Sequence, residues 1–159
     1  MAGVINLDRI SGAQLFSLKH SAALENGNVC NLGAIVAGER EVYDVATPAT
    51  ATLASAQVIL VASPEVMYDE TKLITDFTIP AGTISRGVAL VPGNIVQISD
   101  SIIDGTTVVG QFVIAANTSL KLAASATASG KFTGRVIEKG NITVGLTNVP
   151  ATTILVVSN

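Results

Sequence analysis

Few side chains in this chain of 159 residues can do chemistry, and they are thinly spread. There is one histidine, His20, and one cysteine, Cys30. A hydrolytic triad would have to set His20 between a serine and a carboxylate, yet no Gly-x-Ser-x-Gly segment offers a nucleophile elbow. Zinc normally draws on several His or Cys ligands, and only His20 and Cys30 are present. The run Val29-Cys30-Asn31-Leu32 predicts a buried, inert thiol rather than a nucleophile. Gly33 and Gly38 have the spacing of a phosphate-binding loop, but Glu39 and Arg40 follow where Lys and Ser/Thr are needed, and an acid there repels phosphate. The acidic pairs Asp69-Glu70 and Asp100/Asp104 sit at turns, and the segment after Asp100 lacks the ligand spacing of an EF-hand. Two carboxylates for glycoside hydrolysis are brought together by the fold rather than by sequence spacing. Sugar sites lean on aromatic platforms, however, and this chain has no Trp. The expectation is therefore no catalytic residue, no metal site and no cofactor.

The segments that would have to position any site are short. From Asp76 to Ser99 three apolar stretches are cut by Pro80-Ala81-Gly82 and Pro92-Gly93-Asn94, the pattern of brief strands joined by tight turns. Glu25-Asn26-Gly27-Asn28 is a further turn, followed by a predicted hairpin of Val29–Val36 and Val42–Val45. Thr47–Gln57 predicts a loop or a weakly specified strand. Val58–Ala62, unbroken and rich in β-branched residues, predicts a central strand buried on both faces. Ser63-Pro64 predicts one helical turn or a tight loop, and Leu73, Thr75, Phe77 and Ile79 predict one face of a strand. Gly87, inside a strand pattern, signals a bulge or a close backbone approach. Further strands are predicted at Ile95–Ile98, Val108–Ala115 and Leu120–Ala123. One more runs from Phe132 to Glu138, then a turn at Lys139-Gly140-Asn141, then Ile142–Leu146 and Ile154–Val157. The sum is an all-β chain of about ten short strands, a small barrel or sandwich. Residues 1–24, where Ala13–Leu24 suggests a short helix, predict an N-terminal arm on a β domain of residues 25–159, with a weak division near residue 105.

Composition narrows the partners. Charged residues make up 13% of the chain, against roughly 25% in an average domain. Ala, Ser, Thr, Gly and Asn must cover much of the surface, which suits a protein docked against other subunits. The net charge is −3 and the nine basic residues form no run, which argues against nucleic acid as partner. No apolar run approaches the ~18 residues of a membrane span, so a soluble protein without membrane contact is expected. The first residues lack the basic and apolar regions of a secretory signal, and a single cysteine forms no internal disulfide. Both point to a cytoplasm as the place of synthesis.

The order of segments carries a resemblance. Lys19-His20-Ser21-Ala22-Ala23-Leu24-Glu25-Asn26-Gly27 leads to Leu32-Gly33 and Gly38-Glu39-Arg40-Glu41-Val42-Tyr43. Thr47-Pro48 and Val61-Ala62-Ser63-Pro64-Glu65-Val66-Met67-Tyr68-Asp69-Glu70 follow, then Asp76-Phe77, Ala81-Gly82, Arg86-Gly87 and Gly93-Asn94-Ile95. Gly110-Gln111-Phe112-Val113, Lys121-Leu122-Ala123 and Gly134-Arg135-Val136-Ile137-Glu138 close the series. Across nearly its whole length the chain resembles the small capsid decoration, or cement, proteins of tailed phages and prophages. It departs at Asn94, where many such proteins carry Asp. The resemblance implies a structural virion protein that is made in the bacterial host cytoplasm and placed on the outside of the expanded head, where it reinforces contacts between major capsid protein subunits. It implies no active site. It implies the major capsid protein as partner, and also self-association into a homo-oligomer, for instance a trimer at a lattice threefold. The alternatives are another virion component, such as a tail or head–tail connector subunit, and a small carbohydrate-binding β domain. The contact residues expected are Asp8, Arg9 and Ile10, in an arm whose deletion would leave the fold intact, and Arg86, a lone cation in an apolar segment. The competing expectation for Arg86 is an ion pair with Asp76 or Asp100.

Overall fold

Four consecutive residues, Val58, Ile59, Leu60 and Val61, are all buried because they form a strand between two separate cores. Side chains alternate across a strand. Val58 and Leu60 enter the larger core, and Ile59 and Val61 enter the smaller one. The same division holds for Val29 against Cys30 and for Val88 against Ala89. Three strands thus form the wall between the cores.

The computed structural model describes residues 1–159, and the chain is all-β with twelve strands. Five of them close a barrel: β2 (Gln14–Lys19), β3 (Val29–Ile35), β4 (Val42–Ala46), β5 (Val58–Val61) and β6 (Ile84–Ala89), in the order β2-β4-β3-β5-β6. The smaller core gathers Leu18, Cys30, Ile59, Val61 and Ala89 from these strands, with Leu24, Phe77 and Ile79 from the connections. The other seven form an open sheet: β1 (Ile5–Arg9), β7 (Ile95–Ser99), β8 (Ile103–Asp104), β9 (Phe112–Ala115), β10 (Leu122–Ser125), β11 (Thr133–Val144) and β12 (Thr147–Ser158). Their order is β1-β7-β12-β11-β9-β10-β8, antiparallel except for β10 on β8. Val96, Ile98, Val113, Val136, Ile154 and Val156 project from this sheet into the larger core and meet Val29, Leu60 and Val88 of the barrel. The barrel and the open sheet therefore share one apolar layer.

Gly87 makes the close approach that its position in a strand suggests. A Cβ there would collide with Leu18 Cδ1 and Ile59 Cγ2 on the smaller-core side, so only hydrogen leaves room for those side chains.

Several expectations are corrected. Residues 1–24 are not an arm. Ala2, Gly3 and Val4 are buried, the N–H of Val4 donates to Ser99 Oγ at 3.0 Å, β1 pairs along β7, and β2 is a barrel strand between β4 and β6. The short helix expected over Ala13–Leu24 is absent for the same reason: Leu18 is needed in the core and its neighbours in the ladder, and tertiary pairing overrides local propensity. The Leu73–Ile79 strand is instead a 3-10 turn over Ile74–Asp76, with the N–H of Leu73 donating to Asp76 Oδ2 at 3.1 Å. Thr47–Gln57 contains one helical turn, Thr50–Leu53. Lys139-Gly140-Asn141 does not turn but continues β11, and the chain reverses at Gly145 and Leu146. The chain leaves the barrel for good between Ala89 and Ile95, closer to residue 90 than to 105.

Candidate contact surface

The residues with reactive side chains are withdrawn from the surface. Cys30 is completely buried, and burial in this apolar setting pushes its thiol up from 9.0 to about 12. His20 is buried too, and its Nδ1 accepts a hydrogen bond from the N–H of Ala22 at 2.9 Å, holding the β2 end against the following turn. No group of three or more His, Cys, Asp or Glu side chains stands close enough to hold a metal ion.

The expected contact residues lie on different parts of the fold. Asp8 and Arg9 are exposed at the end of β1, and Ile10 just beyond packs against the larger core. Arg86 lies on β6 opposite Ser17 of β2. Its Nε donates to the carbonyl of Ala62 at 3.0 Å, and its own N–H donates to Ser63 Oγ at 2.8 Å. The ion pair with Asp76 or Asp100 does not form, because the backbone carbonyl takes the guanidinium and Asp100 is held elsewhere, by Lys139 at 2.6 Å. No hydrogen bond or ion pair joins Arg86 to Asp8, Arg9 or Ile10.

Arg86 does border a surface groove of about 740 Å³ between β6 and the segment from Ser63 to Pro80. Its apolar wall is Val66, Met67, Phe77, Ile79 and Ile84, and Tyr68 stands at the rim with its side chain almost wholly in solvent. The segment is pinned at its start by Asn26. That side chain is fully buried: its Nδ2 donates to the carbonyl of Ser63 at 2.9 Å, and its Oδ1 accepts from the N–H of Ser63 at 2.8 Å. The same amide also donates to Glu65 Oε1 at 2.6 Å. Farther along, Asp69 accepts from both the hydroxyl and the N–H of Thr71, which lowers its carboxyl below the usual value. Val66 and Tyr68 between these anchors, and Leu73 and Ile74 just beyond the second, face solvent.

Sequence reasoning singled out Arg86 and missed this segment. Its signal is in the sequence: Val66, Met67 and Tyr68 follow Pro64 with no strand pattern to absorb them, where Ser63-Pro64 suggests only a helical turn or a tight loop.

A second polar cluster holds the base of the β11–β12 hairpin. Lys139 Nζ donates to Asp100 Oδ2 at 2.6 Å, to Thr107 Oγ1 at 2.7 Å and to Thr152 Oγ1 at 3.1 Å. Thr152 in turn donates to Asp100 Oδ1 at 2.7 Å. These three acceptors take up the three N–H groups of the ammonium.

A comparison of the chain with protein-family models finds no match, and a comparison with curated proteins finds none.

Proposed function

We propose that this chain is a structural protein of a phage particle, a capsid decoration protein that binds the outer face of the expanded head and reinforces contacts between major capsid protein subunits. The observation that carries the reading is the surface itself. On a chain with little charge, Val66, Tyr68, Leu73 and Ile74 are all exposed along one anchored segment, and Val66 and Tyr68 line the groove together with the exposed Ile84. Large exposed apolar groups in one place mark a docking site. The body behind them is stiffened by a closed barrel and a shared core, so a partner meets a preformed face at little entropic cost. The whole-chain resemblance to cement proteins supports the same reading. The mechanism is differential binding: a protein that binds the expanded lattice better than the precursor shell stabilises the expanded state by mass action.

Virions carrying a labelled copy test the assignment by electron microscopy. Label over the head is expected; label confined to the tail or the head–tail junction contradicts it and favours the second virion reading. The groove, with Tyr68 at its rim and Ser17, Thr78, Thr83 and Ser85 on its wall, keeps one non-virion reading in view, a carbohydrate site. A glycan array blank at every position removes it.

A further inference from the structure

Past the edge of the open sheet, β11 and β12 continue as a bare two-stranded ribbon. β9 accompanies β11 only from Thr133 to Arg135, and β7 accompanies β12 only from Ala151 to Leu155. The two strands nevertheless pair with each other out to Val144 and Thr147. Gly145 then reverses the chain with a φ of 59°, as the first position of a primed two-residue turn requires. A lone ribbon of this kind is marginal in water, and its edges are templates for another strand.

The two edges differ. Counting back from the turn, Val144–Thr147, Ile142–Val149 and Gly140–Ala151 face inward as hydrogen-bonded pairs. Lys139, Asn141 and Thr143 therefore turn their N–H and C=O groups outward from β11. On the other side the outward positions are Asn148 and Pro150, and Pro150 has no N–H to give. Proline guards the β12 edge, and nothing guards the β11 edge. Of the three outward-paired residues only Lys139 is charged, and its ammonium is already bound by Asp100; the neighbouring Glu138 is exposed. From Gly140 to Asn159 the chain carries no charge at all.

The geometry points to β11 pairing with β11 of a second copy of this chain, antiparallel, about a twofold axis at Asn141. Lys139 then faces the second copy's Thr143, and the two Asn141 residues face each other. Antiparallel pairing about this axis sets only Asn141, which is uncharged, against its own mate, and places Glu138 and Lys139 opposite Val144 and Thr143, so no like charges meet across the contact. The free stretch ends where the N–H of Gly110 donates to the carbonyl of Val136 at 2.9 Å. In this register that end receives the second copy's tip. Leu146 at the tip is wholly exposed, and it arrives beside Ile137 and the exposed pair Val108 and Val109. The contact is short, so it is weak in dilute solution and is strengthened wherever copies are held close together. This inference does not rest on the capsid reading and stands or falls separately.

The test is light scattering over a concentration series up to about 1 mM, combined with cross-linking of Asn141→Cys by a short bis-maleimide. Cys30 is completely buried and does not compete. A dimer that grows with concentration is expected, with Asn141→Cys linking copies far faster than the exposed control Ser129→Cys. Leu146→Asp, a change at a solvent-exposed tip, is expected to weaken the dimer at least about tenfold. A monomer at every concentration overturns the proposal. So does an oligomer in which Asn141→Cys links no faster than the control, or one that Leu146→Asp leaves intact.

Discussion

At the scale of single residues, the partition between two cores makes sharp demands. Gly87 is the clearest, because Leu18 and Ile59 fill the space a side chain would take. Gly87→Ala is expected to cost about 2 kcal/mol by overpacking, measured by urea denaturation; an unchanged midpoint would mean the barrel wall yields more easily than its packing implies. Cys30 gives a prediction in pH. Its folded thiol titrates at about 12 against 9.0 unperturbed, so above pH 9.0 the unfolded chain loses this proton first. The contribution is whole below that point and is lost as pH rises through the folded value, to a limit of about 4 kcal/mol. Denaturation midpoints should therefore fall more steeply between pH 9.0 and about 12 in the native protein than in Cys30→Ala. Equal slopes in the two proteins would place the thiol in a wetter site than this one.

At the scale of elements, the first ten residues matter to the fold and not only to a partner. Ala2 and Val4 are buried, Ile5, Leu7 and Ile10 pack on the larger core, and β1 covers one edge of β7. Deletion of residues 1–10 is expected to lower stability by about 3 kcal/mol or more, seen as an early unfolding transition by circular dichroism. A truncated protein that melts like the native one would restore the view of this segment as a detachable arm. Val58–Val61 was legible as a strand buried on both faces, because four β-branched or leucine side chains in a row admit little else. β1 and β2 were not legible, since Ile5–Arg9 and Gln14–Lys19 place polar and exposed residues without clean alternation. β1 pairs only with the distant β7, and β2 is held between β4 and the distant β6, so tertiary pairing rather than local pattern makes strands of them. Lys139-Gly140-Asn141 misled for the converse reason: turn-favouring residues were carried straight through by an eleven-pair ladder with β12. The candidate contact segment was half legible. Its loose apolar residues stand in the sequence, but that Asn26, 37 residues earlier in the chain, anchors it at Ser63 is a property of the fold alone.

At the scale of the whole molecule, a closed barrel and an open sheet lean on one apolar layer. His20 and Cys30 are buried, and Val66, Tyr68, Leu73 and Ile74 are exposed on one segment. If the segment from Ser63 to Pro80 is the docking face, a charge placed on it must be desolvated on binding. Val66→Asp is accordingly expected to weaken attachment to capsids at least about tenfold while leaving the melting temperature unchanged, and undiminished binding would move the docking face elsewhere on the molecule. The central claim is tested most directly by co-sedimenting the purified protein with undecorated expanded capsids, using unexpanded shells as the control. Saturable binding to the expanded capsids alone is the predicted result, and the copies bound per capsomer would identify the lattice position. Absence of binding to expanded capsids, or equal binding to both forms, would contradict the assignment of this chain as a decoration protein.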